Sequence, residues 1–210
     1  MKKLFIISIF VFIVTAGSVF GQWEYSECLT SMPGAEGHLL ALFNIPDGTG
    51  SSFYNAQIYN DGAVIDAHIE LIVNDAFGYP VPNFPAEDMW LASSNGGLTP
   101  CDGGTSPDQD TDANGFTIWA NPLRAGGSDT GSCSVIVDGY EVVGGEGSFP
   151  LAFNSPDITG DGIVNLADVG LFSAILFGEY DFAADFFSDG VMNLADVGRM
   201  ASGIGKSCPR

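Results

Sequence analysis

The tightest constraint on this chain is a phrase that it writes twice. "DITGDGIVNLAD" runs from Asp157 to Asp168, and 28 residues later "DFFSDGVMNLAD" runs from Asp185 to Asp196. Both copies hold Asp at positions 1, 5 and 12, Gly at 6 and Asn at 9. Calcium is a hard ion that takes six to eight oxygen ligands. A twelve-residue loop supplies them from positions 1, 3, 5, 7, 9 and 12, with Gly at 6 for the sharp turn. The first copy offers Asp157, Thr159, Asp161, the backbone carbonyl of Ile163, Asn165 through a water, and Asp168. The second offers Asp185, Asp189, the carbonyl of Val191, Asn193 and Asp196, but its position 3 is Phe187, which has no side-chain oxygen. Two Ca2+ sites are expected, the second weaker. The plainer alternative is a pair of Asp-Gly turns whose acids cap the helices that follow.

Each loop opens a helical pattern. Leu166, Val169, Phe172 and Leu176 recur at spacings of 3, 3 and 4, and so do Leu194, Val197, Met200 and Ile204. That spacing paints one apolar stripe per helix. Helices this short cannot bury a stripe alone, so the two are expected to pack together. Val164 is expected to meet its counterpart Met192 in a short strand contact.

Residues 155–208, about a quarter of the chain, resemble a type I dockerin: two loop-helix calcium repeats at the C-terminus of a secreted protein. The resemblance implies attachment of the protein to an extracellular partner, a cohesin module, often in the context of polysaccharide breakdown. In that family the residues just before the last loop ligand help to choose the partner. Here they are Leu166 and Ala167, and Leu194 and Ala195. The family's usual hydroxyl pair is absent from those positions. Ser173-Ala174 and Ala201-Ser202 stand where a basic pair often follows.

Upstream the texture is β. "AHIELIV", "DMWLAS", "FTIWA", "CSVIVDG", "EVVG" and "FPLAF" are short apolar runs, mostly alternating, separated by Gly, Asn, Asp and Pro. "VDGYEVV" reads as a hairpin turning at Asp138-Gly139, and "NDAFGYPVPNFP" as a longer loop. About seven strands in roughly 130 residues predict a β-sandwich. "TDANGFTIWA" and the segment before it resemble bacterial immunoglobulin-like repeats. The expected architecture is mainly β: an immunoglobulin-like sandwich over residues 22–153, then a small α-helical dockerin-like domain over 154–210. Residues 1–21, with Lys2 and Lys3 ahead of "LFIISIFVFIVTAG", read as a secretory signal peptide. The apolar run is short for a membrane span, which needs about 20 residues. A secreted or cell-surface location follows.

The chain has 6 basic and 26 acidic residues. With Lys2 and Lys3 removed, 4 basic against 26 acidic residues give −22. Such a charge repels a phosphate backbone and argues against nucleic acid as a partner. Of the four cysteines, Cys28, Cys101, Cys133 and Cys208, none forms a C-x-x-C pair, so zinc is not expected. An even count in an exported chain suggests disulfides, for which three pairings exist. Cys101–Cys133 and Cys28–Cys208 are favoured, the second tying the two ends together.

The motif inventory does not suggest an enzyme. His38 and His68 are the only histidines, and neither a G-x-S-x-G elbow nor a phosphate loop is present. Glycoside hydrolysis needs only two suitably placed carboxylates. Glu87 and Asp88 beside Trp90 are the nearest thing to such a group, although a core tryptophan at a strand edge is the commoner meaning. Three readings stand. One is a calcium-binding attachment protein. Another is a structural surface or filament subunit with the repeat as a rigid cap. The third is a small carbohydrate-active enzyme.

Overall fold

The computed structural model describes residues 28–35 and 37–209. The expected signal peptide lies outside them. Among the described residues no helix is long and apolar enough to cross a membrane.

Among the described residues thirteen short strands come first, rather than about seven. They are β1 (Leu29–Ser31), β2 (Leu40–Phe43), β3 (Ala56–Ile58), β4 (Val64–Ile65), β5 (Ile69–Ile72), β6 (Met89–Ser93), β7 (Leu98–Pro100), β8 (Phe116–Trp119), β9 (Ala125–Gly127), β10 (Cys133–Val137), β11 (Tyr140–Glu141), β12 (Ser148–Phe149) and β13 (Leu151–Asn154). Two helices follow, α1 (Leu166–Leu176) and α2 (Leu194–Gly203). The described strands form four sheets, in the orders β1-β5-β8, β11-β10-β12 with β6 also on β10, β13-β2-β3-β4, and β7-β9. The molecule is therefore β-rich with two short helices.

Strands β5, β6 and β10 alternate as the sequence suggests. Ile69, Leu71, Met89, Leu91, Cys133, Val135 and Val137 point inward, onto Phe53, Trp119, Phe149 and Phe153. The core tryptophan is thus Trp119, not Trp90. Asp138 and Gly139 make the turn between β10 and β11, both at positive φ.

The pair β2 and β13 departs from alternation, for a physical reason. They run parallel, in register from Leu40↔Leu151 to Phe43↔Asn154, and every residue of both is buried. Parallel strands covered on both faces read as continuous apolar runs. Leu40, Leu42, Leu151 and Phe153 face the main core. On the other side Ala41 and Ala152 leave room for Phe182. There too Phe43, with Ile45 just beyond β2, joins Val164, Phe172, Phe186 and Met200. The C-terminal repeat is therefore the second cover of this sheet.

Phe186 stands at the centre of that cover, its ring 5.5 Å from Phe43 and 5.6 Å from Phe172. Burying one such ring contributes roughly 1.5–3 kcal/mol. The helices thus share one apolar cluster with β2 and Phe186. Three ends of the expected stripes stay outside. Leu166 and Leu194 are 83% and 84% exposed, and Ile204 is 51% exposed. Leu166 and Leu194 are first residues of their helices, ahead of the turn that packs. Ile204 is the residue that leaves α2, where helical periodicity no longer applies.

The C-terminal tail corrects two further expectations. The strand partner of Val164 is the tail, not Met192. Val164 N–H donates to Lys206 O at 2.9 Å, Gly205 N–H donates to Val164 O at 2.9 Å, and Ile163 bridges to Ser207. Met192 meets Val164 only as a side chain in the shared cluster. Cys208, in turn, bonds Cys101 across 107 residues, so neither Cys28–Cys208 nor Cys101–Cys133 forms. Cys133, the first residue of β10, points into the core, where burial pushes its thiol well above the usual range. Cys28 is also buried, and its thiol lies against the carbonyl of Asn74. Cys101 sits just past β7, on the edge that the tail reaches.

Candidate metal centre

The first loop is wound around its own acids. Asp157 and Asp168 are fully buried, and Asp161 closes the group from the exposed side. One carboxylate oxygen from each lies within 4.8 Å of the others. Two ligands of one Ca2+ stand at most about 5 Å apart, twice a bond of 2.3–2.6 Å, so this set fits the ion. Backbone N–H groups hold the acids in place. Asp157 Oδ1 accepts from Asp161 at 3.1 Å and its Oδ2 from Gly162 at 2.8 Å. Asp168 Oδ1 accepts from Thr159 N–H and from Thr159 Oγ1, each at 2.9 Å. Gly162 takes φ +83°, the left-handed turn that position 6 requires.

Asn165 is the N-cap of α1, its side chain accepting from Ala167 N–H at 2.8 Å. Asp168 completes a capping box by accepting from Asn165 N–H at 2.8 Å. Ile163 O accepts from Asn165 Nδ2 at 3.1 Å. The capping role foreseen as the plainer alternative is real, and it coexists with the acid cluster.

The β-rich part also builds this site. Gly127 N–H donates to Asp157 O at 2.7 Å. A Cβ on Gly126 would lie 2.0 Å from Asp157 Oδ2, so glycine is needed for the carboxylate to sit there. Lys206 pairs with Asp47 at 2.7 Å, and Cys208 N–H donates to Gly162 O at 2.9 Å. Burial pushes the Asp157 carboxyl above the ordinary carboxylate value, and repulsion from Asp168 and Asp161 adds to it, against its two N–H bonds. A buried cluster of like charges is a place where a cation lowers the energy.

The second loop has the same outline and different contents. Asp185 accepts from Asp189 and Gly190 N–H groups at 3.3 and 2.8 Å, and Asp196 from Phe186 and Asn193 N–H groups at 2.9 Å each. Asn193 caps α2 through Ala195 N–H, and Val191 O accepts from Asn193 Nδ2 at 3.3 Å. Among the described residues, however, only the first loop gathers three carboxylates as a metal would need.

Two side chains distinguish the second loop. Tyr180 Oη donates to Asp185 Oδ2 at 2.8 Å. The Arg199 guanidinium lies 3.7 Å from the centre of the Phe187 ring and 4.7 Å from that of Phe43, and it donates to Phe186 O. Burial pulls the Arg199 pKa down, while Asp196 and Asp185 hold it up. Phe187 is therefore more than a missing ligand, because it seats a resident cation by a cation–π contact. The positions 28 residues earlier are Leu171 and Ala152, which carry neither charge nor hydroxyl. Sequence reasoning noted Phe187 but passed over Arg199. The signal was there: one basic residue among few, on the face of α2 nearest an acidic loop.

No protein-family model, curated protein or solved structure matches this chain.

Calorimetric titration should find unequal loops. Asp157→Ala or Asp168→Ala should weaken the tightest calcium event at least a hundredfold. Asp185→Ala should change it less than tenfold, because that carboxylate already has Tyr180 and lies in the field of Arg199. Two equal, tight sites would contradict this account.

Proposed function

We propose that this is a secreted, calcium-binding, non-catalytic modular protein. An immunoglobulin-like sandwich carries a dockerin-like repeat that attaches it to another extracellular protein, with a cohesin module as the candidate partner. Calcium at the first loop would be held by Asp157, Thr159, Asp161, Ile163 O, Asn165 and Asp168, and it would neutralise acids that otherwise repel. The observation that carries attachment is the exposure of Leu166 and Leu194. Two leucines at equivalent positions stand out at helix starts, with Ala167 and Ala195 exposed beside them. Apolar side chains left out of the core at paired sites favour a contact made elsewhere.

A pull-down from the secreted fraction tests it, run with calcium and with chelator. The expected outcome is calcium-dependent capture that the double variant Leu166→Asp/Leu194→Asp abolishes without altering calcium binding or the melt. Capture that survives the double variant would remove the assignment.

One observation favours the rigid-cap reading. The repeat covers the second face of β2 and β13, and Cys208 bonds it to Cys101. In that reading the repeat completes a structural surface subunit, and the double variant leaves every association unchanged.

A further inference from the structure

The outward face of the β6–β10 ribbon has a chemistry that neither loop uses. These strands pair antiparallel, with Trp90 opposite Ile136 and Ala92 opposite Ser134. Their neighbours point to the core, so these four side chains share the outer face. Ser134 also lies opposite Ser148 on β12, and Ile136 opposite Glu141 on β11. A cavity of about 350 Å³ runs over this patch, lined by Ser94, Ser132, Ser134, Ile136, Glu141 and Ser148 among others. A second, of about 270 Å³, is lined by Trp90, Glu87, Asp102, Thr105 and Ser106 together with the backbone between. Trp90 joins the two, since it lines one and its cross-strand partner Ile136 lines the other.

The walls are held from behind. Thr105 O accepts from the buried indole N–H of Trp119 at 2.9 Å and from Leu91 N–H at 3.0 Å. Arg124 N–H donates to Gly104 O at 2.9 Å, and Cys101 is tied by the disulfide. The rim beside Trp90 is therefore pre-formed, which reduces the ordering that binding would require.

We propose that this face binds a neutral polysaccharide chain, with Trp90 as the stacking platform and the serine and glutamate side chains as hydroxyl partners. Three features select that ligand. A partly buried indole at the rim offers an apolar plane, which suits the C–H face of a pyranose ring. Hydroxyls and carboxylates around it can donate to and accept from sugar hydroxyls. The linings hold Glu87, Asp102 and Glu141 and no basic side chain, the Arg124 guanidinium at the rim is engaged by the Asp102 and Gly103 carbonyls, and the chain's formal net charge is −20, so anionic glycans and nucleic acids are repelled. From Trp90 to Ser93 the strand rises about 10 Å, room for roughly two sugar rings.

Affinity electrophoresis of the intact, calcium-loaded protein tests the proposal, with gels containing mixed-linkage β-glucan, xyloglucan, galactomannan or xylan, and with alginate as the anionic control. Retardation by at least one neutral polymer and none by alginate is expected. Trp90→Ala should weaken that retardation at least tenfold. Ser134→Tyr, which fills the groove from its solvent side, should weaken it comparably and keeps the test open if Trp90→Ala fails to fold. Mobility unchanged in every neutral polymer overturns the proposal. So does retardation by alginate as strong as by a neutral glycan, or retention unaffected in a folded variant.

Discussion

Chelation should lower the melting temperature by about 10 °C and open the C-terminal repeat to proteases. Asp157, Asp161 and Asp168 present oxygens within 4.8 Å of one another, and two of these acids are fully buried. An ion that binds only the folded loop stabilises by about 4 kcal/mol at a thousand times its dissociation constant. For a chain of this size each kcal/mol shifts the midpoint by roughly 2–4 °C. The pH dependence should have opposite signs with and without the ion. Without calcium, the raised Asp157 pKa means that the folded loop binds its proton more tightly than the unfolded chain does. Its contribution is then most favourable in acid and is lost as pH rises through the raised value. With calcium present, protons compete for the same oxygens, so the calcium increment shrinks as pH falls. Calorimetric melts at several pH values should show the two curves far apart at pH 7 and converging in acid. Superimposed melts at pH 7 would remove the metal from this account.

Cys208→Ser should cost about 3–5 kcal/mol and loosen calcium binding as well. The bond to Cys101 spans 107 residues, and closing a loop of that length removes about 5 kcal/mol of chain entropy from the unfolded state. Its loss also frees the tail that pairs with Val164 and Gly162 beside the acid cluster of the first loop. Mild reductant should reproduce the variant's melt in the natural protein. Peptide mapping without reductant should recover Cys101 linked to Cys208. Recovery of Cys28–Cys208 or Cys101–Cys133 instead would overturn the tail arrangement.

Local order was legible in the residues. Two twelve-residue loops with acids at fixed positions, a left-handed glycine in each, an Asn cap and an apolar stripe all depend on neighbours a few positions away. So does the Asp138-Gly139 turn. Alternating strands such as β10 could be read because one face is wet. These features follow from backbone geometry and the period of the side chains, which the chain carries with it.

The tertiary structure decided what depends on distant partners. Strand β2 is buried on both faces, and no alternation announces a strand whose second cover arrives more than 100 residues later. The stripe could not show that Leu166 and Leu194 would face outward, because nothing in the helix itself says where packing begins. Cysteine spacing could not select Cys101–Cys208, since the choice rests on where the tail runs beside the first loop. The inequality of the loops rests on Arg199 reaching Phe187 and Phe43, a cation–π contact assembled from three separate segments. The sequence by itself determined two acidic loops and their helices, because those interactions are short in sequence. Only the tertiary structure decided which loop gathers its acids and which holds an arginine, because charge and burial act through space.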